Sequence, residues 1–271
     1  MLSSYADCPR RAIARQFKYE VEKAGYALRQ TLPSIGAAVG TATHHVIDNF
    51  FKAKLVTSEF TLEDAVEQAV IELKTELQHG CEYDQSTPSV DVARQQINRM
   101  AMAYLNNPEI SNLIPLAVEH RVTVDLDDVW QITGQIDLVT AHPTGGSHLR
   151  DLKTGGVSRS HFQQLGCYSL LLRSDPPPNV PAEIAAVTVD FIKRTPKTRP
   201  QDEVVSNAYP ASLCEQAAFA VINHIKRDWE EFKQTSDPDV IPVNFMSMMC
   251  VERYCLAYGT DWCPLSKEVK K

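Results

Sequence analysis

Asp137, Asp151 and Lys153 are the residues whose types and spacing could do chemistry. They lie in the stretch Trp130 to Gly155, which reads W-Q-I-T-G-Q-I-D-L-V-T-A-H-P-T-G-G-S-H-L-R-D-L-K-T-G. Two neighbouring carboxylates resist ionising together unless a cation joins them. Hard divalent ions such as Mg²⁺ accept such oxygen ligands and keep several waters. A cation held this way can stabilise charge on a phosphoryl oxygen and make a nucleophile of water, while a nearby lysine orients that water or offsets growing negative charge. An ordinary cross-strand ion pair on a surface hairpin uses the same residue types, so D-x-K alone leaves both readings open.

Period-two alternation supplies the positioning. Ile132, Gly134, Ile136 and Leu138 fall on one face of a strand, with Thr133, Gln135, Asp137 and Val139 on the other. A second strand is expected over His148 to Lys153, and Pro143, Thr144, Gly145 and Gly146 have the backbone preferences of a reversal. A hairpin centred near Thr144 sets Asp137 opposite Asp151, and puts Asp151 and Lys153 on one face with Leu152 on the other.

The surrounding elements follow from pattern. Ile35 to Leu55 reads as a helix with Gly40, His44, Ile47 and Phe51 on one face, so His44 points inward either as a hydrogen-bonded core residue or as a ligand. Helices are expected over Thr61 to Gln78, capped by Thr61 and Asp64, and over Val90 to Leu105; residues 56–110 form a helical insertion that packs rather than reacts. Pro115 to Asp125 reads as a strand on which Glu119 is either a surface carboxylate or a group facing the site. Ser160 with Gln163 forms a capping box, placing Gln164 and Tyr168 one turn apart on the helix that follows. Ile184 to Ile192 reads as a strand, and a long helix capped by Ser212 and Glu215 comes next. Toward the N-terminus, one helix is expected from Pro9 through Ala24.

With 271 residues, 44% of them hydrophobic and 23% charged, the chain is long enough for one substantial α/β domain with an insertion. The net charge of −7 argues against nonspecific coating of nucleic acid, although a local groove can still be basic. Lys193, Arg194, Lys197 and Arg199 form the clearest basic cluster, readable as phosphate contacts or as a solvated loop. No apolar run approaches a bilayer-spanning length and the N-terminal stretch has no apolar leader core, so a cytoplasmic protein is expected. Seven cysteines without such a leader speak against a disulfide framework. Cys250, Cys255 and Cys263 cluster near the C-terminus, separated by four and then seven residues, which suits a metal.

G-Q-I-D, then D-L-K-T-G, then a helix carrying Q-L-G-C-Y resembles the PD-(D/E)XK nuclease superfamily, in particular its RecB-like branch, which includes iron–sulfur exonucleases of the CRISPR-adaptation type. The resemblance implies an α/β, restriction-endonuclease-like core with a mixed central sheet flanked by helices, in one nuclease domain spanning 1–271. It implies Mg²⁺ or Mn²⁺ at His44, Asp137, Asp151 and the Leu152 carbonyl. Lys153 would position or activate the attacking water, and Gln164 with Tyr168 would complete the catalytic motifs. It also joins Cys8 to Cys250, Cys255 and Cys263 in a terminal clasp of residues 1–10 and 248–265, holding a 4Fe–4S cluster or, alternatively, zinc. The family's usual C-terminal cysteine spacing is tighter, which puts Cys255 most in question. The implied activity is hydrolysis of DNA phosphodiesters, chiefly at single-stranded or free ends, in recombination, repair, phage replication or CRISPR adaptation. The alternatives are a non-cutting DNA-binding or assembly protein, and a helper subunit active only with a helicase, recombinase or integrase.

Overall fold

The computed structural model describes residues 1–155 and 161–263. In chain order the helices are α1 (Leu2–Asp7), α2 (Pro9–Gln16), α3 (Lys18–Lys23), α4 (Ile35–Leu55), α5 (Leu62–Leu77), α6 (Val90–Leu105), α7 (Pro108–Ser111), α8 (Phe162–Ser174) and α9 (Ala211–Thr235). The strands are β1 (Pro115–Asp125), β2 (Gln131–Ala141), β3 (Ser147–Lys153), β4 (Ile184–Phe191) and β5 (Val205–Tyr209). Contacts divide the chain into two compact units, one of Met1–Leu32 with Gln216–Lys271, the other of Pro33–Glu215. Among the described residues no helix is long and apolar enough to cross a membrane.

The second unit holds a five-stranded mixed sheet in the order β1-β2-β3-β4-β5, antiparallel throughout except for the parallel β3–β4 pair. The expected hairpin forms with its expected centre. Leu138 pairs with Arg150, Val139 with Leu149, Thr140 with His148 and Ala141 with Ser147, a register symmetric about residue 144. Gly145 and Gly146 take φ of 98° and 78°, the left-handed conformations the reversal needs. Edge strand β5 was not expected; most of its residues are partly or fully exposed, so no apolar alternation marks it.

Helix α4 packs against α5, α6 and β1. Val39, Val46, Ile47 and Phe51 of α4 meet Val66, Val70 and Leu73 of α5 and Ile97, Met100 and Tyr104 of α6 in one core that also takes in Leu138 and Leu152. The helical insertion is therefore the apolar support of α4. Ser34 caps α4 and Ser89 caps α6 through their side chains, whereas Thr61 precedes α5 without the expected side-chain cap. Ser160 lies outside the described residues, so the expected capping box does too; α8 starts at Phe162. Ser212 stands inside α9 rather than before it, and Glu215 is engaged by Ser169 and Arg173.

In the first unit the expected helix starts at Pro9, as α2, and is broken once, at Phe17. Pro9 disfavours helical backbone at Cys8, which is extended (φ −152°, ψ 104°) between α1 and α2. Phe17 interrupts at φ −111°, ψ 39°, with its ring stacked on Trp229 at 4.2 Å. Phe232 and Tyr26 meet Trp262 edge-on at 4.9 and 5.4 Å, completing an aromatic core.

Candidate active site

The ladder ends at Leu138 with Arg150, and its register continued by one step sets Asp137 opposite Asp151; both side chains are engaged. Asp137 Oδ2 accepts the Leu152 backbone N–H at 2.9 Å and stands 3.6 Å from His44 Nδ1. Asp151 is fully buried, and its Oδ1 accepts from Lys153 Nζ at 2.9 Å and from Gln164 Nε2 at 3.1 Å. Lys153 Nζ also lies 2.7 Å from Oδ2, but that contact is ionic without hydrogen-bond geometry, so Oδ2 has no donor. Gln164 donates to the Tyr168 hydroxyl at 2.7 Å. Two polar groups thus meet across the strands: His44 with Asp137, and Lys153, Asp151, Gln164 and Tyr168 in one hydrogen-bonded chain, joined electrostatically and through the Leu152 backbone N–H.

Two glycines permit the approach of the helices. A Cβ on Gly40 would stand 2.5 Å from Thr154 Oγ1, so α4 reaches the end of β3 only because residue 40 has none. A Cβ on Gly134 would meet Leu171 at 2.6 Å and the Tyr168 ring at 3.2 Å, which accounts for the first residue of G-Q-I-D.

Burial sets the protonation of the cluster. It pushes the Asp151 carboxyl up to about 6 despite the opposing Lys153 charge, and raises Asp137 to about 6 in the same way. His44 is lowered to about 4 by burial and by Lys153, so its imidazole is neutral and able to ligate at pH 7. Burial and the two aspartates raise the Tyr168 phenol, which stays protonated.

Sequence reasoning overlooked Asp48, one turn beyond His44 on α4. It is buried, its Oδ2 has no partner, and it faces Glu119 and Asp137. Burial, then the two neighbouring carboxylates, push it up to about 9. The signal available was the H-x-x-x-D spacing, which puts both side chains on one helical face. Glu119 faces the cluster as well, at φ 52° and accepting a hydrogen bond from Gln135. Within the basic cluster Arg194 is taken up by the fold: its Nη2 is paired with Asp84 at 2.8 Å and Nη1 donates to Thr87, while Arg99 ties down the segment that follows by donating to the carbonyls of Thr195, Pro196 and Arg199.

The family model of the PD-(D/E)XK nuclease superfamily matches residues 1–264. The chain belongs to that superfamily. No curated protein matches it. The mixed sheet with flanking helices is the fold expected of a PD-(D/E)XK protein, and membership supports a hydrolase of the nuclease class. Oxygen donors with one neutral imidazole suit the divalent ions such nucleases generally use, and the orphaned Asp48 and Asp151 oxygens are buried acceptors of the right chemistry. Among the described residues no three His, Cys, Asp or Glu side chains close on a point that would hold a metal ion. At Asp151 the reason is visible, since the Lys153 ammonium lies against both carboxylate oxygens.

In the first unit Cys8, Cys250, Cys255 and Cys263 line one small cavity with Arg11, Val243, Ser247 and Ala257. Cys8 comes from the extended residue between α1 and α2, its N–H bonded to the Ser4 carbonyl, and the other three thiols come from turns, with the N–H groups of Cys250, Cys255 and Cys263 bonded to the carbonyls of Ser247, Val251 and Thr260. Burial, with Cys8 and Cys263 nearby, pushes the Cys255 thiol up to about 11, while Arg11 opposes that shift. Arg11 Nη1 is buried without a partner, a spare donor beside four sulfur atoms. Cys81, Cys167 and Cys214 belong to the other unit, and none of the seven cysteines forms a disulfide.

Proposed function

We propose that this PD-(D/E)XK protein is a metal-dependent deoxyribonuclease of the RecB-like branch, an exonuclease that hydrolyses phosphodiester bonds at single-stranded or free DNA ends. The observation that carries the reading is the convergence of Asp137 and Asp151 with Lys153 seated on Asp151 and His44 on Asp137. A binder has no use for a carboxylate pair facing phosphate.

His44, Asp137, Asp151 and the Leu152 carbonyl would hold Mg²⁺ or Mn²⁺. When bound, the ion supplies Lewis-acid stabilisation of negative charge on the phosphoryl oxygens. Lys153, held by Asp151, orients the attacking water through its N–H donors; the water oxygen forms the new bond to phosphorus and gives its proton to solvent as the ester P–O bond breaks, and the leaving oxygen takes a proton from solvent to depart as the alcohol. Gln164 fixes Asp151 from the helix side and is itself placed beside Tyr168, so this pair lines the groove next to the reacting atoms. Cys8, Cys250, Cys255 and Cys263 would hold a 4Fe–4S cluster as a clasp between the terminal segments. Zinc is the second reading, favoured by thiols crowded around a cavity of only about 10 Å³. Seven cysteines without a disulfide fit a reducing cytoplasm.

The test is anaerobic purification followed by incubation with end-labelled single- and double-stranded DNA, in Mn²⁺ or EDTA, beside Lys153→Ala. Mn²⁺-dependent shortening that falls at least about 100-fold in the variant is expected. Equal, metal-independent DNA binding by both proteins with no cleavage would overturn the enzyme reading in favour of an assembly role. Cleavage only after addition of a helicase, recombinase or integrase partner would make the chain a helper subunit. Iron, sulfide and zinc analysis of the same preparation separates the two readings of the thiols.

A further inference from the structure

Residues 193–200, K-R-T-P-K-T-R-P, carry four cations in a chain of net charge −7, and they leave the sheet beside the site. β4 runs parallel to β3, Phe191 pairs with Lys153, and the Ile192 N–H bonds the Lys153 carbonyl at 2.8 Å. Ile192 is buried in the core with Leu152, and Arg194 turns to α4, where a Cβ on Gly36 would stand 2.9 Å from its Nη2. Alternation therefore puts Lys193 on the other face, the one that carries Asp151 and Lys153. The backbone of this stretch is fastened to the fold. Arg99 of α6 donates to the carbonyls of Thr195, Pro196 and Arg199 at 2.8, 3.2 and 2.8 Å, and Gln96 Nε2 of the same helix reaches the Thr195 carbonyl at 3.2 Å. Gln201 Nε2 donates to the Lys193 carbonyl at 2.8 Å, and Thr195 is buried. The charged side chains are used differently. Arg194 is paired with Asp84, whereas among the described residues no carboxylate is paired with Lys193, Lys197 or Arg199. Lys197 and Arg199 are exposed and Lys193 is half-buried. Three uncompensated cations on a fixed backbone, beginning beside the reacting groups, suit a polyanion with charges at regular intervals.

We propose that Lys193, Lys197 and Arg199 form a phosphate-binding track that holds a single DNA strand on its way past Asp151 and Lys153. The inference rests on the nuclease reading above and deepens it, by naming where the part of the substrate that does not react is held. Contacts of this kind fix the register of a strand without reading its bases. They also give the helical insertion a task, since α6 supplies the clamp on the backbone of the track. Arg194, engaged by Asp84 and Thr87, takes no part.

The experiment is fluorescence anisotropy of an end-labelled single-stranded oligonucleotide titrated with the full chain in EDTA over a series of salt concentrations. The proteins are the wild type, Lys193→Gln, Lys197→Gln, Arg199→Gln, the triple variant and Arg194→Ala, with thermal melts to verify folding. Each single Gln variant should weaken binding by about fivefold and reduce the slope of log K against log salt by about 0.7, equally on two unrelated sequences. The triple variant should lose about 2 in slope. With Mn²⁺ present, KM for DNA should rise by a larger factor than kcat falls. Wild-type affinity and slope in the triple variant, while the wild type cuts in Mn²⁺, would overturn the track and leave the proposed function standing. An equal loss in Arg194→Ala would overturn it as well, because bulk charge would then be the cause. A wild type that binds with these contacts but cuts nothing would overturn the nuclease reading and leave the track; one that binds no DNA overturns both.

Discussion

The carboxylates around Asp137 come from strands β1 to β3 and from one face of a 21-residue helix, whereas of the four thiols around Arg11 one comes from the extended residue between α1 and α2 and three from a succession of turns. Regular elements fix side chains before any ligand arrives, which chemistry on a phosphate requires. Turns without a ladder or long helix of their own gain order from what they bind, so ligand binding there would become folding free energy. One region is strained toward reaction, with like charges crowded in a buried setting. The other, on the proposed reading of its thiols, is an element of stability.

The largest effects test that division directly. Asp151→Asn should lower cleavage by about 10³-fold, because it removes a proposed metal ligand and the anchor of Lys153. Its urea midpoint should stay unchanged or rise, since crowded carboxylates destabilise the fold they occupy. Cys263→Ser should do the reverse, costing about 4 kcal/mol or more in stability while the fraction that remains folded still cuts. If Cys263→Ser melts with the wild type, the thiols are packing and the contrast fails.

Next in size is pH. In EDTA, the folded-state values of Asp137 and Asp151 are raised to about 6 and that of Asp48 to about 9, all above an ordinary aspartate. Their contribution is present below about pH 4 and lost as pH rises through 6 and then 9. His44, lowered to about 4, acts oppositely and loses stability as pH falls from 6.5. The urea midpoint should therefore drop between pH 6.5 and 9, and Asp48→Asn should flatten that drop. Cys255, raised to about 11, adds its own loss only above about pH 9. A flat profile from 6.5 to 9 would remove Asp48 from the charged cluster. The smallest effect is that of Arg194→Ala, which should cost about 1–2 kcal/mol in stability through the lost Asp84 and Thr87 partners. DNA affinity should stay within about twofold, unlike that of a true phosphate contact.

Much of the site was legible because strand periodicity is strict. The reversal at Pro143 to Gly146 fixed the hairpin centre, and with it the Asp137–Asp151 register. Gly40 was legible as a position on the inward face of α4, although its neighbour, Thr154, was not. Asp48 was missed because an acidic residue within a helical pattern reads as solvated unless the opposing strand is known, and Glu119 was the part of that strand left open. The break at Phe17 depends on Trp229, more than 200 residues away, and no local pattern carries such a contact. Strand β5 was missed because exposed edge residues need no apolar alternation.

The centring of the β2–β3 hairpin on residue 144 gives the site a parity. Residues added within 143–146 lengthen only the exposed tip, so a peptide tag or fluorophore-bearing loop can be placed there without disturbing the ladder. One residue added or removed between Leu149 and Asp151 instead sends Asp151 to the opposite face and brings Leu152 or Arg150 into its place. Length variation in related chains should therefore be free at the tip and come in twos along the strands, and a library of single-codon insertions scored for activity would trace that boundary.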